Sequence, residues 1–269
     1  MEKLEHTLWI VQAANALFGP LVNGLLGLLG FPVENPSAPI PNHIVMVYLI
    51  VFAVTILAVV VKSRLSVENP GKLQIIFEDV VGGLAEMLDV MVGPTGRNYL
   101  TLVGTIGIFI LFGNLMGLIP GLMAPTSSIS VTLGCALTVW VYYHAQGIRS
   151  QGIVSYLKHF AVPPGAHWSL AIVWLPIEII SHFSRVLSLS LRLFGNIFGE
   201  ELVILILFSI VPFLVPLPMM FLGIVTATLQ AVIFVMLTMI YLGGAVAAEH
   251  GHDEAHGHEA AHHAERVAA

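Results

Sequence analysis

The sequence predicts an all-α polytopic membrane protein: about five membrane-crossing helices, one interfacial amphipathic helix, and a long, tilted C-terminal helical hairpin. Three observations predict it. First, 57% of the 269 residues are hydrophobic and 10% are charged, with a mean hydropathy of +0.91; a soluble domain carries about 25% charged residues. Ten Lys+Arg and sixteen Asp+Glu cannot clothe a core of this size in water. Second, the charges are unevenly spread, with no Asp, Glu, Lys or Arg in 35–61, 98–148 or 202–248. Third, these gaps show no alternation of polar and apolar residues, so helices, whose backbone groups bond internally, are the structure lipid permits. A soluble enzyme and a disordered chain are excluded. So is a nucleic-acid binder, because the net charge is −6 and no basic stripe exists. Cys135 is the sole cysteine, which excludes an intrachain disulfide and a cysteine metal cluster.

Residues 1–40 read as an N-terminal interfacial segment. Glu2 and Glu5 spoil the basic start of a signal peptide, Gln12, Asn15 and Asn23 interrupt the apolar stretch, and no small-x-small cleavage site follows. Two short helices around Pro20 are expected there. A span needs about 20 apolar residues, and 41–62 supplies the first. In 73–92, Ile75, Ile76, Val80, Leu84, Leu88 and Met91 recur at helical spacing among Glu78, Asp79, Glu86 and Asp89, the pattern of a helix lying on a membrane surface or against partners. Spans follow at 99–119 and 128–148, separated by Pro120-Gly121 and Pro125-Thr126, then at 169–213 and 219–248, separated by Pro212, Pro216 and Pro218. The membrane domain is thus 41–248, followed by a His- and Glu-rich tail, 249–269. Lys62, Arg64, Lys72 and Arg97 sit in one connection, Arg149 and Lys158 in another, and the two proline-marked turns carry no basic residue. By the positive-inside tendency the basic connections and the tail are cytoplasmic, and the N-terminus is outside.

The stretch 169–213 is too long for an upright span: at 1.5 Å per residue it would reach roughly 67 Å, against a hydrocarbon thickness of roughly 30 Å. It must cross twice or tilt. Glu178, Ser181, His182, Arg185, Ser188, Arg192, Asn196 and Glu200 step by three or four residues and fall within an arc of about 120° at 100° per residue. A period that persists across Gly195 and Gly199 points to one continuous, tilted helix with a polar stripe, and Glu201 falls on its opposite side. Ionisable groups inside a membrane point to an ion or substrate path. Arg185 fits that reading or a headgroup-snorkelling one. Arg192 is flanked by about 20 mostly apolar residues on each side within the segment, a length equal to a whole span. Arginine keeps its proton when buried, so it needs an anion. Neither Glu201 nor Glu178, nearly four turns away, is placed to supply one.

At 188–201, SLSLRLFGNIFGEE resembles the signature of subunit a of F-type ATP synthases. PGKLQ at 70–74, LFGNLMGLIPG at 111–121, LPIEIISHFSRVLSLSLRLFGN at 175–196 and TLQAVIFVMLTMIYL at 228–242 resemble segments of the same family in the same order, so the likeness covers about 42–249. The resemblance implies a non-catalytic stator subunit of the bacterial inner membrane, forming two aqueous half-channels to the rotating c ring. Its implied partners are the c ring, the peripheral-stalk b subunits and lipid. No cofactor, metal or nucleic acid is implied. Residue by residue, it implies that Arg192 faces the ring carboxylate, with Asn196 one turn on and Ser188 one turn before. Glu178 would be the carboxylate near the start of that helix, Glu201 the half-channel acid, Gln230 the last helix's glutamine near the arginine, and Asn114 the polar residue of the third helix. Glu200 and His182, both on the stripe, complete the ion-translocation candidates. In one respect the sequence departs from some members: they carry a histidine seven residues before the glutamine, paired with the half-channel acid. Here that position is Gly223, leaving Glu201 to serve alone, with Glu200 or water filling the space.

Two other readings are weighed. A secondary transporter with a midplane charged site would show paired repeats, and none is visible. A membrane metalloprotease would need ligands such as H-E-x-x-H on one helix face, which the sequence lacks. Six of the twelve histidines (His250, His252, His256, His258, His262 and His263) lie in the tail. They fit a metal-binding tract or, more simply, a solvated tail whose charge responds to pH. His43, His144, His159 and His167 read as interfacial. Gly113, Gly117 and Gly121, spaced by four, permit close packing, and Thr126, Ser127, Ser128 and Ser130 read as helix caps rather than a vestibule lining.

Overall fold

The computed structural model describes residues 9–28, 38–119, 121–156, 171–210 and 215–246. Lys158, His159, His167, Pro120, Pro212 and the tail from Glu249 lie outside the described residues. Among the described residues seven long α-helices run in order, α1 (Trp9–Leu28), α2 (Asn42–Ser63), α3 (Lys72–Val92), α4 (Leu100–Met116), α5 (Ile129–Gln151), α6 (Ala171–Ile210) and α7 (Pro216–Val246), with a short helical stretch over 153–156 after α5. No strand occurs among the described residues. Single turns of 3-10 helix at Gly96–Tyr99 and Pro125–Ser127 lead toward α4 and α5.

Five of these helices are long and apolar enough to cross a bilayer: α1, α2, α4 with its leading turn, α6 and α7. The 23-residue α5 is long enough, but Tyr142, Tyr143, His144, Gln146 and Arg149 make it more polar. Residues 9–28 form one helix that passes through Pro20, where two short helices were expected. Proline removes one backbone hydrogen bond and crowds the preceding turn. In apolar surroundings, ending the helix there would leave several more groups unpaired. Asn15, read in the sequence as an interruption, is buried: its amide donates to the Val11 and Ile40 carbonyls at 3.0 and 3.1 Å and accepts from the Ile40 N–H at 2.9 Å. The stripe-bearing segment is likewise one 40-residue helix, α6, which continues through Pro176.

The chain forms two compact units, and α3 to α7 contribute residues to both. The first comprises Met1–Gln74, Gly107–Thr132 and Leu191–Val232. Its core is Val11, Val45, Met46, Ile50 and Met116, flanked by Phe109, Phe112 and Leu122. The second comprises Ile75–Ile106, Leu133–Ser190 and Ile233–Ala269. Leu88, Val103, Val139, Leu189, Phe234, Met239 and Leu242 are buried in it. Here the backbone carbonyl of Met91, near the end of α3, lies where a side chain at Gly243 would be. Tyr48, Phe52, Ile177, Phe183, Leu205 and Phe221 are exposed on the long helices, as apolar faces bathed in lipid should be.

Candidate functional site

In the first unit, a tight turn folds back on the end of α4. Gly121 has φ +92°, a conformation that favours glycine. A Cβ on Gly117 would stand 2.8 Å from the Ala124 Cβ and 2.9 Å from a Glu201 carboxylate oxygen. That bare backbone lets Glu201 reach the turn, where Oε1 accepts the Ala124 N–H at 2.7 Å. Glu200 turns toward α7, and its carboxylate occupies the space a side chain at Gly223 would take. Asn114 is buried, accepting from the Thr126 hydroxyl at 2.7 Å and donating to the Ala227 carbonyl at 3.4 Å. Thr126 therefore serves the interior rather than a helix cap. The Ser127 hydroxyl donates to the Ala124 carbonyl at 2.7 Å.

Gln230, also buried, accepts from the Asn196 amide at 3.0 Å. Its own Nε2 has no partner among the described residues. Arg192 is exposed, and among the described residues no carboxylate lies within ion-pair reach of it.

The second unit gathers a different set. His182 is buried. Its Nε2 lies 3.2 Å from Glu178 Oε1, one turn before it on α6, and its Nδ1 lies 2.6 Å from the Tyr143 hydroxyl of α5. His144 Nδ1 pairs with the Tyr156 hydroxyl at 2.6 Å. The His144 ring stands 4.7 Å from that of His182. Tyr156, in a short helical stretch over 153–156, leans on α5 where Gly147 leaves room; a Cβ there would meet its ring at 2.6 Å. Burial pushes the Tyr156 hydroxyl above its ordinary range, with Arg185 opposing, so it stays protonated. The Arg185 guanidinium lies over the Tyr241 ring at 5.3 Å from its centre, a cation–π contact. Ser188 is exposed.

Along α6 the stripe has an orientation. Ser188 and Arg192, on one margin of its arc, are exposed, whereas His182 is buried and Glu200 half-buried on the other. Sequence reasoning passed over Tyr143, Tyr156, Tyr241 and the inward role of Thr126. The Tyr142-Tyr143-His144 run within the α5 segment was the available signal. Among the described residues no three His, Cys, Asp or Glu side chains are grouped to hold a metal.

Taken together, this is a multi-pass helical membrane protein with ionisable and carboxamide side chains along its longest membrane helix. Residues 43–243 match the family model described as ATP synthase A chain. ATP synthase subunit a of Koribacter versatilis is 38% identical over 250 residues, covering 93% of this chain and all of the relative. Subunit a 1 of Syntrophotalea carbinolica is 45% identical over 208 residues, 77% of this chain and 87% of the relative. Subunit a 1 of Pelobacter propionicus is 49% identical over 181 residues, 67% and 77%. The chain belongs to the ATP synthase subunit a family.

Proposed function

We propose that this chain is the stator ion channel of a bacterial F-type ATP synthase, carrying no catalytic site and passing protons to and from the c ring through two aqueous half-channels. The observation that carries the reading is Arg192: exposed, on a membrane helix, without a carboxylate of its own chain among the described residues. A guanidinium cannot shed its proton, so its anion comes from a neighbour.

The chemistry follows from solvation. An ionised carboxylate in lipid costs several kcal/mol, so a ring carboxyl travels through lipid neutral. An opposite charge within about 4–6 Å depresses a carboxyl pKa by about 1–3. A ring site approaching Arg192 therefore releases its proton to one half-channel and regains one from the other after passing. The fixed cation also blocks direct passage between the two. Moving one charge through 100 mV is worth about 2.3 kcal/mol, so several protons per turn drive synthesis elsewhere in the complex.

The basic connections flanking α3 and following α5 face the cytoplasm, as does the tail, while the N-terminus and the turn at 117–128 face outward. Glu201, Glu200 and Asn114, beside that turn, then line the outer half-channel, and Glu178 with His182 the inner one. Asn196, Gln230 and Ser188 flank the arginine. The b subunits of the stalk and lipid cover other faces.

The test is Arg192→Ala in the whole complex in inverted membrane vesicles. ATP-driven proton pumping should vanish, with the amount of assembled complex unchanged. Coupled pumping that persists would remove the role.

A further inference from the structure

The second unit contains a hydrogen-bonded string for which the stator reading has no use beyond Glu178 and His182. With Glu178 ionised, its oxygens only accept, so His182 Nε2 carries the hydrogen across the 3.2 Å contact. Nδ1 is then the lone-pair nitrogen, and the Tyr143 hydroxyl, at 2.6 Å, must be its donor. The order Tyr143 O–H to Nδ1, Nε2–H to carboxylate is directional. It is also enclosed, since Tyr143 and His182 are both buried.

We propose that Tyr143 is a proton-relay residue that feeds Glu178 through His182. The proposal rests on the stator reading above and names two side chains, Tyr143 and His182, as a pathway within one half-channel. A proton from water arrives at the Tyr143 oxygen, and the hydroxyl passes its own proton to Nδ1. Nε2 gives its proton to Glu178, which ends neutral. Tyr143 has gained one proton and lost one. His182 has done the same and is left as the Nδ1–H tautomer; the starting form returns when water takes the proton from Nδ1 and supplies another to Nε2, an exchange that moves no net proton along the string. Transport in the opposite direction runs the same steps backward.

The surroundings keep the string to one mobile proton. Arg185 and Glu178 face His182 from its own helix, and His144 and Tyr143 from α5, while Tyr156 stands against His144 and Tyr241 against Tyr143 and Arg185. Two imidazoles 4.7 Å apart, with a guanidinium nearby, resist being cationic together. His144, its Nδ1 engaged by Tyr156, is thus held beside the relay as a neutral neighbour.

Two substitutions in the assembled synthase test this, read as pumping per assembled complex. Tyr143→Phe keeps the ring and removes the hydroxyl, and pumping should fall roughly tenfold or more, since a positioned proton carrier is worth at least that. His182→Gln preserves both hydrogen bonds, because its amide accepts from Tyr143 and donates to Glu178, but it cannot relay. In that background Tyr143→Phe should change nothing further. An equal loss in both backgrounds, no loss in either, or failure of Tyr143→Phe to assemble would assign the hydroxyl a structural role or none and overturn the relay. Arg192→Ala separates the two ideas. If it abolishes pumping while Tyr143→Phe leaves it intact, only the relay falls; if it spares pumping, the stator reading falls.

Discussion

In the first unit, acids sit in space that glycines vacate: Glu201 passes Gly117 to reach the Ala124 N–H, and Glu200 fills the gap at Gly223. In the second, the acid is met by rings: Glu178 bonds His182, His182 bonds Tyr143, and His144 with Tyr156 stands alongside. Both units bury polar groups that lipid would penalise. They answer the penalty differently, one with backbone amides and missing side chains, the other with heteroatoms carried on aromatic frames. A cluster of the first kind should be sensitive to added volume. One of the second kind should be sensitive to loss of a single hydroxyl.

Among substitutions that add volume or delete a hydroxyl around these two clusters' supports, Gly223 comes first. Gly223→Val places atoms where the Glu200 carboxylate lies and where Leu118 Cδ2 would be 2.7 Å from the new Cβ. Overpacking of this kind costs about 1–3 kcal/mol, and expelling a carboxylate from its seat adds a change in charge position. Proton pumping should drop roughly tenfold, the equivalent of about 1.4 kcal/mol. Adding Glu200→Ala, which empties the contested space, should restore assembly toward the parent level. Near-normal pumping by Gly223→Val alone would show that the acid does not depend on that gap.

The contrast between the units also explains what the sequence made legible. The charge-free stretches and the stripe on α6 are one-dimensional patterns, and the all-helical membrane fold follows from them through lipid's intolerance of unpaired backbone. The placement of Glu201 on the side of α6 opposite Arg192 is also a one-dimensional consequence, because one residue rotates a helix by 100°. Tyr143 did not emerge as a partner of His182, because the two are 39 residues apart and nothing in the sequence pairs them. Thr126 looked like a cap because Ser and Thr before a helix usually are. It bonds Asn114 instead, because a buried carboxamide in a membrane protein has few other partners. The helix through Pro20 was hidden for the opposite reason: proline is a strong local signal, and the solvent overrides it.

A middle-sized effect belongs to Thr126→Val, which keeps the shape and deletes the hydroxyl. Asn114 Oδ1 would then lose its 2.7 Å donor while buried. An unsatisfied buried acceptor costs about 1–3 kcal/mol, so the purified complex should lose subunit a at a lower temperature than the parent, with pumping below that transition largely retained. An unchanged transition would mean that water serves Asn114 as well as Thr126 does, and that the first unit is wetter than its hydrogen bonds suggest.

The smallest effect is expected at the rim of the second unit. Tyr156→Phe removes the hydroxyl paired with His144 Nδ1 at a half-buried position, a loss of about 0.5–1.5 kcal/mol for a neutral hydrogen bond. The pH dependence separates the two partners. Burial holds the Tyr156 hydroxyl above its usual value of 10.0, so the folded form keeps its proton longer than the unfolded one. Its contribution is therefore complete below about pH 10 and is lost only as pH rises beyond that. The gap in thermal stability between Tyr156→Phe and the parent should be the same at pH 6 and pH 8. A gap that widens between those values would assign the titration to His144, the one partner in that pair able to change charge there. The second cluster would then respond to pH through an imidazole, a group absent from the glycine-lined acid cluster of the first.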